Sequence, residues 1–378
     1  MKRAAAVIDL AAVRGNLHRI RELAGNSAVM AVVKADAYGH GMGPIARTAR
    51  RAGAEWLGVA LPSEALALRA MGDEGRILAW LWSPGDSDIA ACVRAGVDLS
   101  VSSTWALDEV IEASRRVGAR ARVQIKVDTG LSRNGVTLDQ LSGLLDRVAQ
   151  AVNDGDVEVE AVWSHLADGD TPGADSVARQ LDQYLVALEM ADARGIRPHL
   201  RHLSNSGGLW AHPECRFDLV RTGIAMYGLT PSADLGDSRE LGLTPAMSLV
   251  ARLAGIKGVA AGTGVSYGGT WTAPTETALG LVPIGYADGL PRAAGNLLDV
   301  AVGGNRYPIV GRVAMDQFVI DMGAHELPHV GDDVYVFGPG RHGERTADDW
   351  AAALDTIGYE LVTRIGPRVQ REYVEEES

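Results

Sequence analysis

The feature that most limits what this chain can fold into is a beat. Over its first two thirds, short β-branched or apolar runs alternate with amphipathic helical stretches. The runs fall at 29–34, 56–60, 77–82, 99–102, 123–127, 157–165, 200–203 and 219–226. Helical patterns such as 43–52, 63–71, 104–117, 138–152 and 175–194 lie between them. Ser63 and Thr104 stand where helix-starting caps are expected. Eight strands alternating with helices predict an α/β fold, a parallel (β/α)8 TIM barrel. A doubly wound open sheet has the same local pattern, so periodicity alone leaves both open.

Near Leu241 the beat stops. Strand-like runs at 247–256, 277–284, 299–302, 307–310, 317–322 and 333–337 follow, separated by turns such as Gly303-Gly304-Asn305. One helical stretch, 346–357, comes near the end. The expected division is a barrel over 1–240 and a mostly β domain over 241–378, with the first few residues as candidates for the β domain. A length of 378 residues suits two domains.

Composition narrows the partners. Apolar residues make up 47% and charged residues 22%, as in ordinary soluble proteins. A net charge of −12 argues against nucleic acid or an anionic membrane as the main partner. No apolar run approaches the roughly 20 residues that span a bilayer. The start, Met1-Lys2-Arg3 and then Ala4 to Ile8, imitates a signal peptide until Asp9 and Arg14 interrupt it. Two cysteines, Cys92 and Cys215, form no CxxC pair, which suits a reducing compartment. A cytoplasmic location is expected, with Glu375-Glu376-Glu377 as a short solvated terminus.

Three motifs mislead. His325-Glu326-Leu327-Pro328-His329 matches the zinc-protease string, but that chemistry needs one unbroken helix face, and Pro328 breaks it. No metal is expected. Gly264-Val265-Ser266-Tyr267-Gly268 matches a nucleophile elbow, which must open a helix, whereas the residues after it read as a loop. The 338–343 stretch matches GxGxxG without a βαβ unit behind it, and a turn is expected there.

Chemistry is suggested instead by what stands at the strand ends. Lys34 closes the first run, Lys126 and Arg133 lie at or past the fifth, and His165 ends the sixth. Asn205 and Ser206 follow the seventh, and Arg221 and Gly223 come with the eighth. Singly, each has a bland reading: a strand-end lysine usually snorkels to solvent, and a lone histidine is usually structural. In a barrel, though, they converge on the C-terminal face, where such folds carry their active sites. A lysine buried there has its pKa lowered, which favours the neutral amine of a covalent catalyst. Ser206-Gly207-Gly208, Gly223-Ile224 and the Tyr38 hydroxyl suit a phosphate.

The string Val33-Lys34-Ala35-Asp36-Ala37-Tyr38-Gly39-His40-Gly41 resembles the cofactor signature of the alanine racemases. The likeness continues through Lys126-Val127-Asp128-Thr129-Gly130, Arg133-Asn134-Gly135, Ser164-His165-Leu166-Ala167 and Asn205-Ser206. It then takes in 221–228, Val265-Ser266-Tyr267-Gly268, Met315-Asp316-Gln317 and Gly358-Tyr359-Glu360. Ala314 departs from it, since many relatives have Cys before Met-Asp-Gln.

The resemblance implies a pyridoxal 5'-phosphate enzyme that interconverts L- and D-alanine and supplies D-alanine for peptidoglycan. Lys34 would hold the cofactor and act as base on one substrate face. Tyr267, from the β domain of the partner in a homodimer, would act on the other, assisted by His165. Arg221 would face the pyridine nitrogen; arginine cannot accept a proton, which leaves the ring a weaker electron sink and limits transamination. Arg133 would steer the substrate carboxylate, and Lys126 would be carbamylated to neutralise the cations around it. Tyr38, Asn205, Ser206, Gly223, Ile224 and Tyr359 would bind the cofactor, mostly at its phosphate. Met315 and Asp316 of the partner subunit would border the substrate.

From local sequence alone, Tyr267 reads as a loop aromatic and Met315-Asp316 as a β-turn. Rival expectations are a serine racemase, a basic amino-acid decarboxylase of the same barrel type, and a non-catalytic carrier of pyridoxal phosphate. A carrier would lack the β domain.

Overall fold

The computed structural model describes residues 3–323 and 328–375. Most of the 325–329 zinc-like string and Glu376-Glu377 therefore lie outside the described residues. The chain opens with β1 (Ala4–Asp9) and α1 (Leu10–Ala24), and Asp9 caps the helix by accepting from the N–H groups of Ala11 and Ala12. Eight parallel strands follow: β2 (Ala28–Val32), β3 (Trp56–Val59), β4 (Arg76–Ala79), β5 (Asp98–Val101), β6 (Ala121–Lys126), β7 (Val157–Trp163), β8 (Leu200–His202) and β9 (Leu219–Thr222). They pair in the order β8-β7-β6-β5-β4-β3-β2-β9. The remaining gap between β8 and β9 is bridged by Asp218 N–H to Arg201 O at 3.1 Å and Arg221 N–H to Ser204 O at 3.1 Å. The sheet is thus a nearly closed barrel, which decides between the two folds that the beat left open.

Alternation along the strands gives the barrel two surfaces. Val29 and Ala31 join the main core under the helices. Met30, Trp56, Leu78 and Leu219, from four adjacent strands, form a separate apolar cluster. This is the filled lumen expected of such a barrel.

Among the described residues the second sheet has nine strands and begins with β1, which pairs antiparallel with β10 (Met247–Arg252) and parallel with the last described strand, Gln370–Val374. The helical stretch expected at 346–357 is instead two short helices, Ala347–Ala353 and Gly358–Thr363. The break at Leu354–Ile357 includes Asp355 at φ 55°, a left-handed residue that stops the first helix.

The two decoys within the described residues resolve as loops. Ser266 has φ 60° and leads into a single tight turn over Tyr267–Gly269, not a helix, and 338–343 is a turn. No helix among the described residues is long and apolar enough to cross a membrane.

Candidate active site

The strand ends surround a cavity of about 580 Å³ at the barrel mouth. It brings together Lys34, Tyr38, Lys126, Arg133, His165, Asn205, Ser206, Arg221, Gly223, Ile224 and Tyr359. Tyr359 arrives from the Gly358–Thr363 helix, after the β strands. Tyr267, Met315 and Asp316 do not line it. They sit on loops of the β sheet: Ser266 Oγ, beside Tyr267, donates to Arg312 O at 2.7 Å, and Ala287 N–H donates to Met315 O at 2.9 Å. Tyr267 is 71% exposed and Met315 53%.

Lys34 does not end a strand, as its apolar run suggested. The strand stops at Val32, and Lys34 opens a helical turn, Lys34–Tyr38, whose hand is reversed. Ala35, Asp36, Ala37 and Tyr38 have φ between 52° and 54°. Left-handed helix costs an L-residue roughly 1–2 kcal/mol, so neighbours must hold it. Glu64 accepts from Ala35 N–H at 2.7 Å and, with its other oxygen, from the Ala60 and Leu61 N–H groups. Asp36 accepts from Met42 N–H at 2.7 Å, and Arg371 of the last strand donates to Gly39 O at 2.9 Å. The turn aims Lys34 and Tyr38 at the cavity from one short segment.

Arg133 is carried on a loop pinned at its base. Val136 N–H donates to Lys126 O and Asp128 N–H to Val136 O, each at 2.9 Å. Asp128 also accepts from the N–H groups of Gly130 and Ser132. Gly135, at φ 137°, lies so close to this base that a Cβ would meet Val127 C at 2.7 Å and Asp128 Cα at 2.9 Å.

The cavity is crowded with cations. Burial, then the charge of Arg133, lowers the Lys34 ammonium. Burial, then Arg221 and Arg133, brings Lys126 down to about 8. Arg221, 4% exposed, is pulled by burial to about 10 and stays charged at neutral pH. Burial and then Arg221 hold His165 well below its ordinary value, so its ring is neutral. Arg221 Nη2 donates to Ser164 O at 2.8 Å and Leu203 O at 2.9 Å, and lies 3.3 Å from His165 Nδ1. Since Arg221 can only donate, His165 accepts at Nδ1 and keeps its proton on Nε2.

The family models match this architecture in order: the alanine racemase N-terminal domain over residues 8–231 and the C-terminal domain over 246–373. The chain belongs to the alanine racemase family. An alanine racemase of Beutenbergia cavernae is 52% identical, across 98% of each chain. The crystal structure of alanine racemase from D-cycloserine-producing Streptomyces lavendulae superposes with a TM-score of 0.97 at 49% identity, covering 100% of this chain and 98% of that one. Alanine racemase from Bartonella henselae with covalently bound pyridoxal phosphate gives a TM-score of 0.88 at 28% identity, covering 99% and 100%.

The alanine racemase site also contains residues that sequence reasoning missed. Trp80 and Trp163 wall the cavity, 6.3 Å apart edge to face. Trp80 lies 5.8 Å from Lys34 Nζ; Trp163 lies 4.5 Å from Lys126 Nζ and 4.9 Å from the Arg221 guanidinium. His202 bonds Arg221 from beneath at 3.0 Å. The usable signal was position: all three stand at or just past a strand's C-terminal end, like Lys126.

Proposed function

We propose that this chain racemises alanine, using pyridoxal phosphate held at the barrel mouth of a homodimer. The carrying observation is the convergence of Lys34, Arg221 and His165 on one cavity, in a chain of the alanine racemase family. The residues present fit the cofactor. The lysine has a lowered pKa, as a covalent anchor needs. The cavity has the size and aromatic walls of a cofactor site. At its phosphate end Gly223 packs against the Tyr38 hydroxyl, where a Cβ would collide, and donates its N–H to Ser206 Oγ at 2.9 Å. Tyr38, Asn205, Ser206, Gly223, Ile224 and Tyr359 would hold that end, and Arg221 would face the ring nitrogen.

When bound, the cofactor withdraws charge from the α-carbon and makes its C–H acidic enough to break. The chain's own residues then handle the proton. Lys34, poised by burial toward the neutral amine, takes or returns it on one face. The partner subunit's Tyr267 serves the other face. Its Oη would meet His165 Nε2–H, the proton that Arg221 fixes on that nitrogen. Arg133 steers the carboxylate, and the partner's Met315 and the partner's Asp316 border the substrate. The two-domain division near 240 follows, with the β unit of each copy completing the other's site. A cytoplasmic setting and D-alanine supply for peptidoglycan complete the reading.

The test is deuterium uptake from solvent at Cα of L- and D-alanine, beside serine, for the natural enzyme and Tyr267→Phe. Loss of exchange from one enantiomer alone is expected. Equal loss from both, or from neither, defeats the two-base assignment. Faster exchange of serine than alanine would reassign the substrate.

A further inference from the structure

A line of hydrogen bonds runs down the barrel lumen beneath Arg221. Arg221 Nη1 lies 3.0 Å from His202 Nδ1, His202 Nε2 lies 2.9 Å from Gln124 Oε1, and Gln124 Nε2 lies 3.0 Å from Asp98 Oδ2. Asp98 is held in turn by Arg122 Nε at 2.7 Å and Arg76 Nη2 at 2.8 Å. These links come from β9, β8, β6 and β5. Asp98, Gln124 and His202 have no exposed surface.

The direction of every bond in the line is forced. A carboxylate clasped by two guanidinium groups only accepts. Gln124 must therefore turn its NH2 toward Asp98 and its oxygen toward His202. That oxygen can only accept, so His202 carries its proton on Nε2. Its Nδ1 is then a lone pair that only a donor can meet. Burial and the charge of Arg221 both oppose a second proton on that ring. An acid at position 221 in its ionised form would set acceptor against acceptor at a buried site, which is costly.

We infer that Asp98, Gln124 and His202 are positioning residues that lock the Arg221 guanidinium in place and favour a donor at position 221. The lock is complete on the other edge, where Ser164 O and Leu203 O accept from Nη2. Trp163 supports it by stacking on His202, rings 5.4 Å apart and 7° from parallel. The charge character of the residue facing the cavity is thus set by a carboxylate at the start of β5. The inference rests on the reading that Arg221 faces the cofactor ring, but its first test does not.

That test is the side-chain nitrogen spectrum of His202 in the holoenzyme, its signals assigned by their loss in His202→Gln. A protonated Nε2 and a bare Nδ1 are expected throughout about pH 6 to 9; a proton on Nδ1, or a doubly protonated ring, overturns the inference. The second test is polarity. His202→Gln keeps an acceptor toward Arg221 and a donor toward Gln124, and should hold kcat within about threefold. His202→Leu and Gln124→Leu break the line. They should lower kcat about tenfold or more with KM within about threefold, and shift the absorbance of the bound cofactor. Equal activity and unshifted absorbance in His202→Gln and His202→Leu would overturn it. If the leucine variants do not fold, the tautomer alone decides. Absent alanine turnover in the natural enzyme would defeat the functional reading and leave the tautomer result standing.

Discussion

At the scale of single residues, the site is a problem in excess positive charge. Lys126 lies over the Trp163 ring with Arg221 and Arg133 as its main charged neighbours, and its ammonium is down to about 8. A neutral amine can take up carbon dioxide, and the anion so formed would pair with Arg133. With ¹³C-labelled bicarbonate, a carbamate signal should appear, grow as pH rises from about 6.5 to 8, and vanish in Lys126→Met. Persistence of the signal in that variant would refute the assignment. The same lowered pKa has a stability consequence in buffer free of carbon dioxide. Because the folded value lies below the free one, folding is penalised while the amine is charged, below about 8. The penalty fades as pH rises toward the free-lysine range, near 10.5. Lys126→Met should therefore stabilise by on the order of 2 kcal/mol at pH 7 and by little at pH 10.5, read from denaturant midpoints. At Arg221, replacement by Glu should raise pyruvate formation per racemisation event; an unchanged ratio would sink the claim that arginine restrains that side reaction.

At the scale of elements, two short segments carry strain that ordinary substitutions expose. Ala35 is exposed at φ 52°. Ala35→Gly relieves that strain while loosening the unfolded chain, so it should change stability by less than about 0.5 kcal/mol. The same change at Ala178, exposed in the right-handed helix Asp175–Asp192, should cost about 1 kcal/mol. Equal costs would mean the reversed turn is not present in solution. Gly135→Ala should displace the Arg133 loop and raise KM for alanine about tenfold or more, with a smaller effect on kcat. The elements also mark where the sequence was readable. The eight-strand beat was legible because strand and helix periods differ. The break after Val32 was not, because Ala-Asp-Ala-Tyr has no glycine to announce left-handed backbone. His202 was hidden inside an apolar run, Leu200–Leu203, and its importance comes from Gln124 and Asp98, which are 78 and 104 positions away in sequence. Tyr267, Met315 and Asp316 owed their place entirely to family resemblance, since nothing local separates them from loop residues.

At the scale of the whole molecule, the two groups proposed to serve opposite faces of the substrate do not meet within one chain. Lys34 lines the cavity, while Tyr267 lies exposed elsewhere on the β sheet's loops. A dimer with shared sites makes a numerical prediction. Lys34→Ala and Tyr267→Phe subunits, each inactive alone, should regain about a quarter of full activity when mixed equally and allowed to exchange. Half the dimers would then be mixed, each with one intact site of two. No recovery, with exchange verified by mass, would place both bases in one chain.

The reversed turn at Lys34 also says something about when this protein becomes competent. Four consecutive residues, each disfavoured by roughly 1 kcal/mol, occupy that conformation in on the order of one unfolded chain in a thousand. What holds it arrives from afar: Glu64 from the next βα unit, and Arg371, 332 residues beyond the carbonyl of Gly39 that it grips. Until that last strand docks, the turn that presents the lysine lacks the grip of Arg371. Cofactor capture should then be a late event in the life of a nascent chain, reporting on the completion of synthesis and folding rather than assisting them.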